Sequence, residues 1–240
     1  MSETLSILVP VYNEEKTVYA VLESLNALQL PNGLLKELII VNDGSTDNTQ
    51  GQIESFIKKE PNLNVIYYKQ NKNKGKGAAL HTAIAVATGD YIIIQDADME
   101  YDVAEYTELL APLLKNVADV VYGSRFIGNK PHRTLYFWHY LGNRMLTLLT
   151  NLVTNINLSD METCFKVFRS AHLKSLKLRE TRFGFEPEVT IKIARIPFIR
   201  IYEVGISYYG RTYDDGKKIR WTDGLQALWC IAKYGLFKVN

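Results

Sequence analysis

Residues 91–98 read YIIIQDAD, four residues that shun water followed at once by two acids one residue apart, Asp96 and Asp98. An apolar run with no polar alternation belongs to a strand covered on both faces, as in a parallel sheet flanked by helices. Working outward, the same unit recurs. The strand-like runs LSILVPVY (5–12), KELIIVND (36–43), NVIYY (64–68) and DVVYG (119–123) are separated by helix-like segments such as EEKTVYAVLESLNAL (14–28) and KGAALHTAIAVA (76–87). Repeated alternation of strand and helix predicts an α/β fold with a doubly wound, mostly parallel sheet and helices on both faces. Ligands of such sheets bind beyond the carboxyl ends of the strands.

Bulk properties agree with a folded domain. The chain has 240 residues, 47% of them hydrophobic, enough for one full core. Its two cysteines, Cys164 and Cys230, are too few for a disulfide framework and lack metal-ligand spacing, which points to a reducing compartment. The start MSETLS runs straight into a strand without the layout of a signal peptide, so a cytoplasmic location is expected. The net charge of +2 conceals a division, since residues 1–120 carry −8 and residues 121–240 carry +10, with all ten arginines in the second half. An acidic half suits cations and a basic half suits anions, although clustering on solvated faces gives the same count. The basic residues form no dense run with interleaved stacking aromatics, which argues against a nucleic-acid partner.

Four polar clusters follow the first four strands: NEE (13–15), NDGSTD (42–47), NKNKGKG (71–77) and DADME (96–100). One would be an ordinary turn, but four on one edge make a site. Asp43 ends its strand, where its carboxylate can accept from a nucleobase, while the residues after it also suit helix capping. Lys72, Lys74 and Lys76 beside two glycines suit phosphates at a helix N-terminus or, equally, a solvated turn, and the spacing is not that of a P-loop. Asp96 and Asp98 can converge on one hard cation, Mg²⁺ or Mn²⁺, with Glu100 as a third oxygen. A magnesium site with few protein ligands is usually completed by substrate phosphates, here a nucleotide diphosphate. The competing reading of this turn, a helix-capping acidic loop, fits Asp102 better than the pair.

The ordered set ILVPVYNEE, LIIVNDGSTDNT, NKGKGAAL, IIIQDADME and VYGSRF resembles glycosyltransferase family 2, the inverting enzymes of the GT-A fold, over residues 5–126. The resemblance implies a divalent ion at Asp96 and Asp98 (with Ala97 between them), a base-reading acid at Asp43, and a loop from Pro10 through Tyr12 to Glu14 along the ribose and base. Many relatives carry two acids where this chain has Asn42 and Asp43. Residues 1–126 are thus expected to be the nucleotide-sugar half of a single domain, and residues 127–240 an acceptor-side extension. The segments GSRFIGN, LSDMETCFKVFRS, RFGFEPEVTIKIAR and IYEVGISYYGRTYDDGKK look like the subset that glycosylates polyprenyl phosphates, the dolichyl-phosphate mannosyltransferase type. For that subset the expected acceptor is a dolichyl or undecaprenyl phosphate and the donor a UDP- or GDP-hexose.

Chemistry supports the subset independently. A hydroxyl acceptor needs a positioned general base, whereas a phosphate monoester, with a second pKa of about 6, arrives already anionic. It needs cations instead, and Arg125, Arg144, Arg211 and Lys217 are the candidates, each with an ordinary ion-pair role as the alternative. The opposing case rests on Asp160 and Glu162, either of which would supply a base for a hydroxyl acceptor in glycan or polysaccharide synthesis, so Asp160 is retained as a catalytic or positioning acid. A nucleotidyltransferase-like binding module is a further alternative. Leu135, Trp138, Leu141, Met145, Leu148, Leu149 and Leu152 recur at helical spacing. Such a stripe suits either a core-facing helix or one lying in a membrane headgroup layer, and Asn143 and Arg144 make it too polar to span. Peripheral contact with the cytoplasmic face of a membrane is the expectation that goes with a lipid acceptor. The sequence specifies no oligomeric state.

Overall fold

The computed structural model describes residues 3–134, 136–212 and 221–237. In chain order the elements are β1 (Thr4–Val11), α1 (Val18–Ala27), β2 (Leu35–Asn42), α2 (Thr49–Lys59), β3 (Val65–Lys69), α3 (Lys76–Val86), β4 (Tyr91–Ile94), α4 (Tyr106–Leu114), β5 (Val120–Ser124), α5 (Phe137–Thr154), β6 (Lys166–Arg169), α6 (Ser170–Lys174), α7 (Phe185–Ala194), β7 (Ile201–Gly205) and α8 (Trp221–Leu236). The strands form one sheet in the order β3-β2-β1-β4-β6-β5-β7, parallel except for β6, which runs against both β4 and β5.

The apolar runs that announced the strands are its centre. Leu38 to Val41 and Tyr91 to Ile94 are all buried, as a strand covered on both faces requires. From β1 the chain steps outward to β2 and β3, then returns across the sheet to β4. Right-handed crossovers therefore place α1 and α2 on one face and α3 on the other. On the far side, Phe165 meets Tyr106 of α4 edge-on, while the next residue, Lys166, pairs with Glu186 of α7. Neighbours in a strand point to opposite faces, so α4 and α7 also cover opposite faces.

Two features of the topology build the rim where the carboxyl ends collect. The β1–β4 ladder stops at Leu8 and Ile94, two residues before Pro10, so the missing N–H of Pro10 falls where β1 has already parted from β4. That parting is the crevice at which strand order reverses. Second, because β6 is antiparallel, the residues leading into it, Asp160 to Phe165, arrive at the same rim that β4 and β5 leave. β7 runs parallel to β5 and delivers residues 206–212 there too. Strands from both halves of the sequence thus share one sheet.

Candidate active site

The first two rim loops are laced together. The N–H of Asn13 donates to Ser45 Oγ (3.0 Å), that of Glu14 to Thr49 Oγ1 (2.8 Å), and that of Thr46 to Asn13 Oδ1 (2.8 Å). The capping-type residues of NDGSTD thus hold the β1 loop. Asp43 is buried and fixes the lysine loop, accepting from the N–H groups of Lys74 (2.8 Å) and Gly75 (2.8 Å) while each oxygen keeps a second lone pair. Gly44, at φ +68°, lets the two loops touch, since a Cβ there would lie 2.5 Å from the Lys72 carbonyl carbon. Gly75, at φ +100°, likewise admits the Thr181 carbonyl against the start of α3. The Lys74 side chain is exposed, Tyr12 is half-buried, and Ala97 is buried with its carbonyl accepting from Thr17 Oγ1 (2.7 Å). That last bond ties the two banks of the crevice.

Within the crevice each aspartate has its own cation. Lys76 Nζ lies 2.8 Å from Asp96, and Arg211 Nη2 lies 3.1 Å from Asp98. The Arg211 guanidinium also grips Glu14 through two bonds of 3.0 Å. Four carboxylates, from Glu14, Asp96, Asp98 and Glu100, thus face two cations. Burial, together with the charges of Asp96 and Glu100, pushes the Asp98 carboxyl up to about 7 against the opposing pull of Arg211. Burial disfavours the charged form of Lys76, yet Asp96, Cys164 and Glu186 outweigh it and hold the amine above its ordinary value.

The expected trio of Asp96, Asp98 and Glu100 is not assembled around one point. Glu100 accepts from Tyr208 Oη (2.6 Å) and from the Arg211 N–H (2.7 Å), which anchors the segment after β7. Among the described residues no group of three or more His, Cys, Asp or Glu side chains is arranged around an ion. The remaining pair still suits a hard divalent cation, because with Glu14 and Glu100 the crevice holds four carboxylates to two cations and the pair supplies only oxygens.

At the end of β5 lies a second carboxylate of opposite character. Asp160 is fully buried and accepts from Arg125 Nε (2.7 Å), Arg125 Nη2 (2.7 Å), the Arg125 N–H (3.1 Å) and Asn143 Nδ2 (3.2 Å). Its own turn is held by Glu203 of β7, which accepts from the N–H groups of Ser159 (2.8 Å) and Asp160 (3.2 Å). Burial alone would raise the Asp160 carboxyl, but Arg125 prevails and keeps it below the usual carboxylate range. Asp160 therefore positions Arg125. Glu162 differs: burial and the Glu186 charge, opposed by Lys166 and Arg125, raise it to about 7, and its buried Oε1 has no hydrogen-bond partner. Arg125 stacks over the Tyr208 ring at 5.1 Å and lines a cavity of about 320 Å³ with Phe126, His132, Arg133, Phe137 and Tyr140.

The structure thus gathers Glu14, Asp96, Asp98 and Arg211 at one crevice and places Arg125 with Asp160 beside it. Arg144 does not join Arg125. It is exposed on the outer side of α5, and its neighbour Asn143 turns inward instead. Lys217 and Leu135 lie outside the described residues. Sequence reading did not single out Thr17, Cys164, Glu186 or Tyr208. Glu186 carried one signal, an acid in the first turn of a helix with no exposed face, where it pairs with the buried Lys166.

The family model described as Glycosyl transferase family 2 matches residues 6–177. The chain is 26% identical over 213 residues to a dodecaprenyl-phosphate galacturonate synthase of Rhizobium johnstonii, covering 89% of this chain and 61% of that protein. It is 26% identical over 239 residues to a dolichyl-phosphate beta-glucosyltransferase of Dictyostelium discoideum, covering 90% of this chain and 68% of that one. Among solved structures, glucosyl-3-phosphoglycerate synthase of Mycobacterium tuberculosis, in complex with Mn²⁺, uridine diphosphate and phosphoglyceric acid, superposes with a TM-score of 0.73 at 21% identity, covering 96% of this chain and 78% of that one.

Proposed function

The chain belongs to glycosyl transferase family 2, and on that premise we propose that it moves a hexose from a nucleotide diphosphate sugar to a polyprenyl phosphate, with inversion at the anomeric carbon. The observation that carries the acceptor assignment is the Arg125–Asp160 pair. An acid held by four donors and kept ionised is a poor proton acceptor, while the arginine it orients is a ready partner for a phosphate that needs no base. Relatives named for dodecaprenyl and dolichyl phosphates support the same choice.

In this reading Asp43 shapes the lysine loop and meets the base, Pro10, Tyr12 and Glu14 line the nucleoside, and Lys74 and Lys76 face the diphosphate. Asp96 and Asp98 hold Mg²⁺ or Mn²⁺, whose chemistry is to neutralise the departing diphosphate. Arg125 orients an acceptor phosphate oxygen toward the anomeric carbon; the bond to that oxygen forms as the bond to the donor's phosphate oxygen breaks, and the diphosphate keeps the electron pair. Arg211, on leaving Glu14 and Asp98, is placed to meet a phosphate. Lys217 stays a candidate for the same task.

A second reading, transfer to a hydroxyl group, has one observation in its favour. Glu162, raised to about 7 with an unpartnered oxygen, is tuned as a base would be. Incubation with a panel of UDP- and GDP-hexoses, Mn²⁺, a short polyprenyl phosphate and an oligosaccharide bearing free hydroxyls, followed by weighing of both sets of products, decides between them. A hexosyl phospholipid supports the proposal; sugar found only on hydroxyl acceptors overturns it.

A further inference from the structure

A chain of alternating charges runs from β6 to the crevice. Lys166 of β6 pairs with Glu186 in the first turn of α7, Glu186 faces Lys76 at the start of α3, and Lys76 meets Asp96 just after β4. Its links are unequal. Lys76 Nζ lies 2.8 Å from Asp96 Oδ1 and 3.1 Å from Oδ2, but 3.7 Å from Glu186 Oε1, too far for a hydrogen bond. Glu186 Oε2 is engaged by Lys166, which also donates to the Thr163 carbonyl, while the buried Oε1 has no hydrogen-bond partner among the described residues. An acid that served only to hold its neighbour would be bonded through both oxygens, as Asp160 is to Arg125. A buried carboxylate oxygen left open is costly, and the cation that faces this one from the crevice is Lys76.

We propose that Glu186 is a positioning residue that receives Lys76 when Asp96 turns to a divalent cation. The shift needed is about 1 Å, from the present separation to ordinary hydrogen-bond length. Lys76 is not sealed in place. Its side chain is 24% exposed, and its other close neighbour, Cys164 Sγ at 3.4 Å, is a weak acceptor that does not compete for it. An ammonium has three donors, so a bond to Glu186 leaves two for the departing diphosphate. Without Glu186, an ammonium released by Asp96 would face the incoming cation with no anion behind it, and the two like charges would oppose each other. The surroundings of Glu186 suit the task. Phe185 to Ile191 are all buried, so the carboxylate does not swing to solvent, and Lys166 holds it from the far side. No proton moves and no covalent bond changes; one ion pair is exchanged for another. The inference deepens the proposed function and rests on its metal pair, not on its acceptor.

The test is titration of the full chain with Mn²⁺, read by the electron paramagnetic resonance signal of the free ion. Glu186→Gln is expected to weaken Mn²⁺ binding by about tenfold, the loss of one hydrogen bond to a charged group. Lys76→Met should tighten it, because Asp96 then has no competing cation. The two changes form a cycle: in the Lys76→Met chain, Glu186→Gln should alter Mn²⁺ binding by less than about twofold, since no ammonium is left to receive. Lys166→Met combined with Glu186→Gln removes the buried pair together and strands no charge, so it folds where the single variant fails and should show the same loss of Mn²⁺ binding. A Glu186→Gln chain that unfolds more readily in denaturant yet binds Mn²⁺ as the parent does would make Glu186 a partner of Lys166 alone. An undiminished effect in the Lys76→Met chain would assign the loss to the field of the carboxylate. Either result overturns the inference, and absence of Mn²⁺ binding by the parent removes the metal pair with it. A cycle that closes as expected, with no transfer to any polyprenyl phosphate, would instead leave Glu186 in its role and remove the acceptor assignment.

Discussion

Two aspartate sites sit side by side on the rim and differ in their supply of donors. Asp160 has four N–H donors and a guanidinium of its own, and is held ionised. Asp98 shares one arginine with Glu14, faces Asp96 and Glu100, and is pushed up to about 7. Both are aspartates at strand ends of one sheet, Asp98 half-buried just after β4 and Asp160 fully buried in the turn leading into β6, so residue type does not separate them and burial alone would make Asp160 the more perturbed of the two. The ratio of donors to carboxylates separates them: a satisfied acid is a strut, and an unsatisfied one is prepared for an incoming cation.

Removing the strut should have the largest effect. Asp160→Ala leaves Arg125 buried and uncompensated, which is expected to cost about 3–5 kcal/mol in denaturant unfolding. The same experiment on Asp98→Asn should show little loss or a gain, and equal losses at the two positions would erase the contrast. Next, Asp96→Asn is expected to lower sugar transfer by about 10²–10³-fold with unfolding nearly unchanged. Undiminished turnover in Mn²⁺ would remove Asp96 from the metal pair.

The pH dependence of stability should run in opposite directions at the two sites. A carboxyl raised in the folded state binds its proton more tightly there than in the unfolded chain. Its contribution is therefore present at low pH and is lost as pH rises from about 4 toward about 7. Asp98→Asn should flatten that slope in melts followed across pH. Asp160, being depressed, contributes above the ordinary carboxylate range and loses that contribution on acidification. The smallest effect is geometric: Gly44→Ala, at positive φ and against the Lys72 backbone, should cost about 1–2 kcal/mol, read as a lowered unfolding midpoint.

What the sequence made legible follows the range of the interactions. β1, β2, β4 and β5 were visible because burial on both faces writes an unbroken apolar run into consecutive residues, and the half-exposed edge strand β3 was visible through the β-branched and aromatic residues of VIYY. β6 was not, being four residues long with a buried lysine in it, Lys166, whose partner Glu186 lies twenty residues on. Its pairing with β4 and β5 is decided by topology that no local pattern encodes. Asp96, Asp98, Glu14 and Arg211 were readable as chemistry, but which carboxylate Arg211 grips was not. The Arg125–Asp160 pair spans 35 residues and separates a strut from a base, which neither residue reveals alone. The stripe on α5 was legible as periodic and silent about direction, since helical spacing is the same for a face turned to core or to solvent.

The reversed course of β6 has a consequence for how this scaffold tolerates change. The excursion from Arg125 to Phe165 leaves one strand and re-enters the sheet at that strand's own outgoing end, clamped by Asp160 and Arg125 at its feet. Within the excursion, Asn143 donates to Asp160 while Pro131 and Arg133 bond to Tyr208, so a replacement that keeps those contacts would leave the donor-side carboxylates in place. On the proposed function, swapping the excursion with those contacts intact is a route to a new acceptor.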